Sequence, residues 1–225
     1  MSRRTPDVHH DLQTFADTDS LAESAARYIA DQAHNAVAKT GRFTIAMSGG
    51  NTPWAMLSRL ALLDVPWDET WIYQVDERIA PRGDHMRNLT HLESCLAKVR
   101  PVIKAMAVED IDLERATRDY AGELPERIDL VHLGLGSDGH TASLIPGDPV
   151  LDVSDRLIAI TGEYQNFRRM TFTYPALARA DQILWLVTGS DKQRPLSMLV
   201  NGDASIPAGR VEAPRSLIMA DQAAT

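Results

Sequence analysis

The sequence predicts an α/β protein, a three-layer α/β/α sandwich around a mostly parallel, Rossmann-like sheet. Two observations carry this. Apolar runs of strand length alternate with longer stretches in which apolar residues recur every third or fourth position, the mark of strands joined by crossover helices. Several of those runs also lead directly into polar or glycine-rich loops, and open parallel sheets bind ligands beyond the carboxyl ends of their strands. No repeat, low-complexity tract or Gly/Ser linker divides the 225 residues. They read as one domain, 1–225, with 1–15 expected to be a flexible N-terminal segment.

Leu21, Ala25, Ile29, Ala33 and Val37 fall every fourth residue and predict an amphipathic helix over 20–39, with Asp19 or Ser20 as N-cap and Gly41 just past its end. Arg42 to Met47 reads as a buried strand. Ser48-Gly49-Gly50-Asn51-Thr52-Pro53 breaks it, and Pro53 suits the first turn of a helix running to about Leu63. Trp71 to Val75 is a second strand, ending in Asp76-Glu77-Arg78. A polar loop and a helix over Asn88–Lys98 follow, then an ambiguous stretch, 101–109, and a helix over Asp112–Glu123. Ile128 to Leu135 is a strongly apolar strand. Arg156–Ile160, Met170–Tyr174 and Ile183–Thr188 are further strands, with a short helix from Pro175 and another over Asp191–Asn201.

The formal charge of −8 argues against a general nucleic-acid or anionic-membrane binder, both of which need a basic face. It leaves room for a small anionic substrate, which needs only a local cluster of cations. One cysteine, Cys95, excludes an internal disulfide framework and a multi-cysteine zinc site, and no metal site is expected. No apolar run of transmembrane length exists, and the charged N-terminus has no apolar stretch behind it, so a cytoplasmic location is the default.

Four motifs carry chemistry. Ser48, Gly49, Gly50 and Thr52, between a strand and a helix start, read as a phosphate cradle: glycines let backbone approach an anion and helix N-terminal N–H groups point at it. A tight turn with Thr52 as an ordinary N-cap explains the same residues. In Asp76-Glu77-Arg78, Arg78 can hold a phosphate or an oxyanion and Asp76 can act as a base or orient a cation; alone, the tripeptide reads as a solvated rim. In Gly134-Leu135-Gly136-Ser137-Asp138-Gly139-His140, the glycines match a dinucleotide fingerprint, but only a short helical start precedes Pro146. His140 sits where its ring can reach a cleft and take a proton from water, and Asp138 is near enough to fix its tautomer. His132, inside the apolar strand, reads as a satisfied core or interface residue rather than a catalyst. In the C-terminal third, Arg168 and Arg169 open a strand and Lys192 stands in the first turn of a helix, where a cation opposes the helix dipole unless it binds an anion. Taken singly, it reads as a surface lysine.

In combination these motifs are specific. Ser-Gly-Gly-x-Thr-Pro (48–53), Asp-Glu-Arg (76–78), Gly-x-Gly-x-Asp-Gly-His-Thr-Ala-Ser-Leu-x-Pro-Gly (134–147), Arg-x-Thr-x-Thr-x-Pro (169–175) and Gly-x-x-Lys (189–192), in this order, resemble the 6-phosphogluconolactonases. The likeness runs from about residue 20 to 215, and Ile206-Pro207-Ala208 resembles that family's Leu-Pro-Ala segment. The wider superfamily includes glucosamine-6-phosphate deaminase, whose fold is the sandwich expected here. The resemblance implies hydrolysis of 6-phospho-D-glucono-1,5-lactone to 6-phosphogluconate in the oxidative pentose phosphate pathway, a sugar-phosphate lactone as the one small-molecule partner, no nucleic acid or membrane partner, and no cofactor. Monomer and homodimer both stay open. Three positions depart from the family: Asn51 for a frequent Ser, Ile145 for Phe, and Arg87 for Ser, the last expected to add a cation near the rim.

The expected roles follow. His140 is the general base on water, with Asp138 behind it. Arg78 and the backbone N–H groups of 136–140 stabilise the oxyanion, beside Asp76. Ser48, Gly49, Gly50, Thr52, Arg169 and Lys192 hold the phosphate. Amino-sugar-phosphate deaminases carry Phe-Asn-Glu-Pro after the histidine loop. Here Ser143-Leu144-Ile145-Pro146 stands in its place, without a carboxylate. A non-catalytic sugar-phosphate sensor would keep the cradle and lose the base. A nucleotide-binding enzyme is weakened by the glycine context.

Overall fold

The computed structural model describes residues 10–225. Among them the chain runs β1 (His10–Phe15), α1 (Thr18–Thr40), β2 (Phe43–Met47), α2 (Asn51–Leu60), β3 (Thr70–Gln74), β4 (Asp76–Arg78), α3 (Asn88–Cys95), β5 (Val102–Lys104), α4 (Leu113–Glu123) and β6 (Leu130–Gly134). It continues through β7 (Ile158–Ile160), β8 (Arg169–Phe172), α5 (Tyr174–Leu177), β9 (Ile183–Val187), α6 (Gln193–Val200) and β10 (Ser216–Asp221).

A seven-stranded sheet in the order β1-β10-β9-β6-β2-β3-β5 pairs parallel throughout. Its inner strands are buried on both faces, as unbroken apolar runs such as those of β2 and β9 require. One face packs α1, α2 and α3 through residues such as Leu21, Ile29, Met56 and Leu92. The other packs α4 and α6 with Tyr120, Leu196 and Leu199, together with a second, smaller sheet.

That second sheet corrects the sequence reading. Asp76–Arg78 is not a polar rim but a strand of its own, β4, antiparallel to β8, which is in turn antiparallel to β7. The expected strands over Arg156–Ile160 and Met170–Tyr174 are therefore in this layer and not in the parallel sheet. A strand's own pattern shows that it is extended, not which neighbour it will find.

The expected flexible segment 1–15 fails over His10–Phe15. These residues form edge strand β1, parallel to β10 from His10↔Ser216 to Phe15↔Asp221; the rest of the segment lies outside the described residues. Most β1 side chains are exposed, so no apolar alternation announces it. Helix α1 starts at Asp17 rather than at Asp19 or Ser20, because the Asp17 carboxylate accepts the Ser20 N–H at 2.7 Å and the Ser20 hydroxyl caps back; it stops at Gly41 as expected.

The strand order reverses between β2 and β6. From β2 the chain moves out through β3 to β5; from β6 it moves the other way to β9 and β10. Neighbouring parallel strands whose connections diverge leave a crevice at their carboxyl ends. Ser48 and Gly136 open from those two ends.

Candidate active site

All the residues expected in the site except Thr52 and Asp138 line one cleft of about 250 Å³ at that crevice.

The β2 end supplies Ser48, Gly49 and Gly50. Gly50, at φ +135°, occupies the N-cap of α2 in a conformation L side chains rarely adopt, and no side chain caps this helix. Its first N–H groups therefore remain for a ligand. Thr52 does not join them, because its hydroxyl pairs with that of Thr188 at 2.8 Å, away from the cleft. Beneath the turn lies His132, fully buried, whose Nδ1 accepts the Ser48 N–H at 3.3 Å. Burial pushes its pKa down to about 3, so the ring is neutral and Nδ1 is free to accept. The expected core placement holds, but the ring is only half satisfied, since Nε2 has no hydrogen-bond partner among the described residues.

β4 supplies the next wall. Alternation along a strand sends Asp76 and Arg78 to one face and Glu77 to the other. Asp76 accepts the Ser143 hydroxyl at 2.6 Å and the Asn88 amide at 3.2 Å. Burial pushes its carboxyl upward against the opposing pull of Ser143, Arg78 and Arg169. Arg78 Nη1 donates to the Met86 carbonyl at 2.8 Å and to Asn88 Oδ1 at 3.0 Å. In the β4–β8 register Arg78 stands directly opposite Arg169. Like charges so placed destabilise a strand pair, and Asp76 is the nearby carboxylate that offsets them.

Glu77, wholly buried, accepts the N–H groups of Arg78, Asn88 and Leu89 and the Gln74 amide, each at 2.8 Å, and so caps α3 from outside the helix. Arg87 does not add a cation to the rim. It is 1% exposed and pairs with Glu77 and Glu109.

The β6 end supplies His140. His140 Nδ1 lies 2.6 Å from Asp138 Oδ1, and its main-chain N–H reaches the same oxygen at 3.1 Å. Partial burial pushes the Asp138 carboxyl up, but the hydrogen bonds from the His140 main chain and ring and from the Tyr164 hydroxyl outweigh it and hold it below the usual range. An ionised carboxylate only accepts, so Nδ1 carries the proton and Nε2 is left to receive one. Gly136 makes this approach possible, because a Cβ there would collide with the His140 ring. The N–H groups of Gly136, Gly139 and His140 are all spent inside the loop, which corrects their expected part in an oxyanion site.

Arg169, 4% exposed, and Lys192 complete the cations. Lys192 stands in a 3-10 turn, Ser190–Lys192, ahead of α6 rather than in the helix's first turn, paired with Asp191 at 2.7 Å. Asp221 at the end of β10 anchors that turn by accepting the Gly189 N–H at 3.1 Å.

Tyr164 and Gln165 also line the cleft, and sequence reasoning missed both. A Tyr-Gln-Asn-Phe turn between two short strands carries no signal that sets it apart from other turns.

Residues 16–219 match the family model described as glucosamine-6-phosphate isomerases/6-phosphogluconolactonase. The chain belongs to this family. A 6-phosphogluconolactonase of Synechocystis sp. is 35% identical over 199 residues, 82% of either chain. Within the isomerase/lactonase family, the solved 6-phosphogluconolactonase of Thermotoga maritima superposes with a TM-score of 0.85 at 22% identity, covering 95% of this chain and 100% of that one. A monomeric glucosamine-6-phosphate deaminase does so at 0.83 and 16% identity, over 95% of this chain and 98% of that one. The shared fold therefore does not separate lactonase from deaminase chemistry, and the cleft residues must. Among the described residues lining the cleft, Asp76 is the one carboxylate; the Ser143-Leu144-Ile145-Pro146 stretch brings none.

Proposed function

We propose that the chain hydrolyses 6-phospho-D-glucono-1,5-lactone to 6-phospho-D-gluconate, a step of the pentose phosphate pathway, in the cytoplasm; cell fractionation checks the location. One observation carries the reading: an imidazole with its Nδ1 tied to Asp138 opens on a cleft that also holds Arg78, Arg169 and Lys192. A neutral base beside an anion grip is what ester hydrolysis of a phosphorylated substrate needs.

Arg169, Lys192 and the free N–H groups at the start of α2 hold the phosphate, with Ser48, Gly49 and Gly50 giving close backbone approach. His140 Nε2 takes a proton from water as its oxygen adds to the lactone C1. Negative charge collects on the former carbonyl oxygen, where Arg78 stabilises it. The intermediate collapses by breaking the bond between C1 and the ring oxygen, which leaves as the C5 hydroxyl after receiving the proton from the imidazolium. Asp138 holds the ring in one tautomer throughout. Asp76 holds Ser143 and Asn88 by hydrogen bonds and offsets the charge of the two arginines. Deaminase chemistry needs a further carboxylate to shuttle protons between carbons, and the cleft offers none beyond Asp76.

A coupled assay on fresh 6-phosphogluconolactone, corrected for spontaneous opening, tests this. The wild-type protein should turn over the lactone, and His140→Gln should lower kcat by about 10²–10⁴-fold. Lys192→Ala should chiefly raise KM. Ammonia release from glucosamine 6-phosphate without lactone hydrolysis would sink the proposal.

A further inference from the structure

Tyr164 belongs to neither the base loop nor the phosphate cradle, yet it touches both sides of the cleft. Its hydroxyl donates to Asp138 Oδ2 at 3.3 Å, while Asp138 Oδ1 takes the His140 ring at 2.6 Å. Its ring stands edge-on to the His140 ring, centroids 5.6 Å apart at 68°. Its carbonyl accepts Arg169 Nη1 at 2.7 Å, and its ring lies 5.0 Å from the Arg169 guanidinium carbon.

The residue opens the tip of the β7–β8 hairpin. Tyr164 and Phe167 exchange both main-chain hydrogen bonds, at 3.0 and 3.2 Å. The two residues between them, Gln165 at φ +51° and Asn166 at φ +65°, are both left-handed, the geometry of a type I′ turn. Glycine would relax this turn, but the chain keeps a glutamine whose side chain lines the cleft.

A carboxylate held through one oxygen can still rotate about its own axis. A donor on the second oxygen fixes its plane, and with it the direction in which the partnered imidazole points. We propose, resting on the lactonase reading above, that Tyr164 is a positioning residue for both halves of the reaction. Its hydroxyl locks Asp138 so that His140 presents Nε2 to the attacking water, and its ring and carbonyl hold the Arg169 guanidinium against the sugar phosphate. Burial and the adjacent Asp138 charge push the Tyr164 phenol upward, so it stays protonated and donates. The other charged groups facing the dyad are Arg194, which shares a shallow depression with Asp138, and Lys192, Arg169, Arg78 and Asp76 across the cleft.

Wild type, Tyr164→Phe and Tyr164→Ala are compared across pH in the lactone assay, with the His140 ring followed by NMR in all three. Phenylalanine keeps the ring and the carbonyl and removes only the donor. Its kcat should fall about three- to tenfold with KM within twofold. The acid limb of its kcat/KM profile should move to higher pH, because an Asp138 relieved of one donor holds the imidazolium proton more firmly. Tyr164→Ala should in addition raise KM several-fold. Wild-type kcat and pH profile in Tyr164→Phe would overturn the Asp138 arm; equal KM in the two variants would overturn the ring's part in holding Arg169, since the main-chain carbonyl is present in both. If wild type opens no lactone, the functional reading fails, and the NMR comparison still decides the dyad contact. A His140 Nδ1–H signal identical in wild type and Tyr164→Phe would refute it; a shifted or exchange-broadened one would support it.

Discussion

His140 and Asp138 sit two residues apart in a glycine-rich turn, and that closeness is why the pair was legible without coordinates. Tyr164 is 26 residues from Asp138, and Thr52 loses its hydroxyl to a partner 136 residues away; neither contact leaves a local trace in the sequence. His132 is the core residue its strand predicts, with one addition that burial alone does not reveal. It accepts the N–H of Ser48 and supports the Ser48–Gly50 turn from below. An imidazole in the unfolded chain takes up a proton near pH 6.5, whereas burial moves that uptake in the folded chain to about pH 3. Between those values the unfolded state binds the extra proton, so stability is fully present above about pH 6.5 and is lost as the pH falls, at up to ~1.4 kcal/mol per unit. Melting curves should show His132→Gln losing less Tm than wild type between pH 7 and pH 5. Equal losses would assign the acid sensitivity to another group.

The elements were legible where they are long and apolar, as in α1, β2, β6 and β9. They were illegible in the short, polar or half-exposed β4 and β5 and in the exposed β1, whereas the three-residue but apolar β7 was anticipated. β4 shows what the short ones contribute. Its alternation sorts three consecutive charges, two toward the cleft and one, Glu77, into the N-terminus of α3, so a tripeptide that reads as a solvated rim is a built wall. β10 acts in the same way at the other wall, since the Asp221 carboxylate accepts the Gly189 N–H ahead of Lys192, the Ala224 N–H and the Thr18 hydroxyl. Asp221→Ala should release the lysine turn, raising KM several-fold with kcat near wild type and lowering stability by about 1–3 kcal/mol. A change in kcat at constant KM would show that the turn does more than hold the phosphate end.

On the scale of the molecule, the alternation of strand and helix was enough to anticipate a parallel sheet, but nothing in it showed where the strand order reverses or that a second sheet would carry both arginines. A chain of net charge −8 gathers Arg78, Arg169 and Lys192 around one cleft, two of them facing each other across a strand pair. Their mutual repulsion is a cost that a bound anion removes. Inorganic phosphate or 6-phosphogluconate should therefore raise Tm, with about 2.7 kcal/mol gained at a hundred times Kd, and Lys192→Ala should blunt the rise; an unaltered Tm in wild type would argue against an anion site. The sheet also binds the two ends of the described chain together: β1 has β10 as its neighbour, with His10 and Ser216 in contact across 206 residues. During translation β1 is made 206 residues ahead of its partner and lacks that neighbour until β10 has left the ribosome. A premature stop before Ser216 would strand it and also untie the turn that presents Lys192.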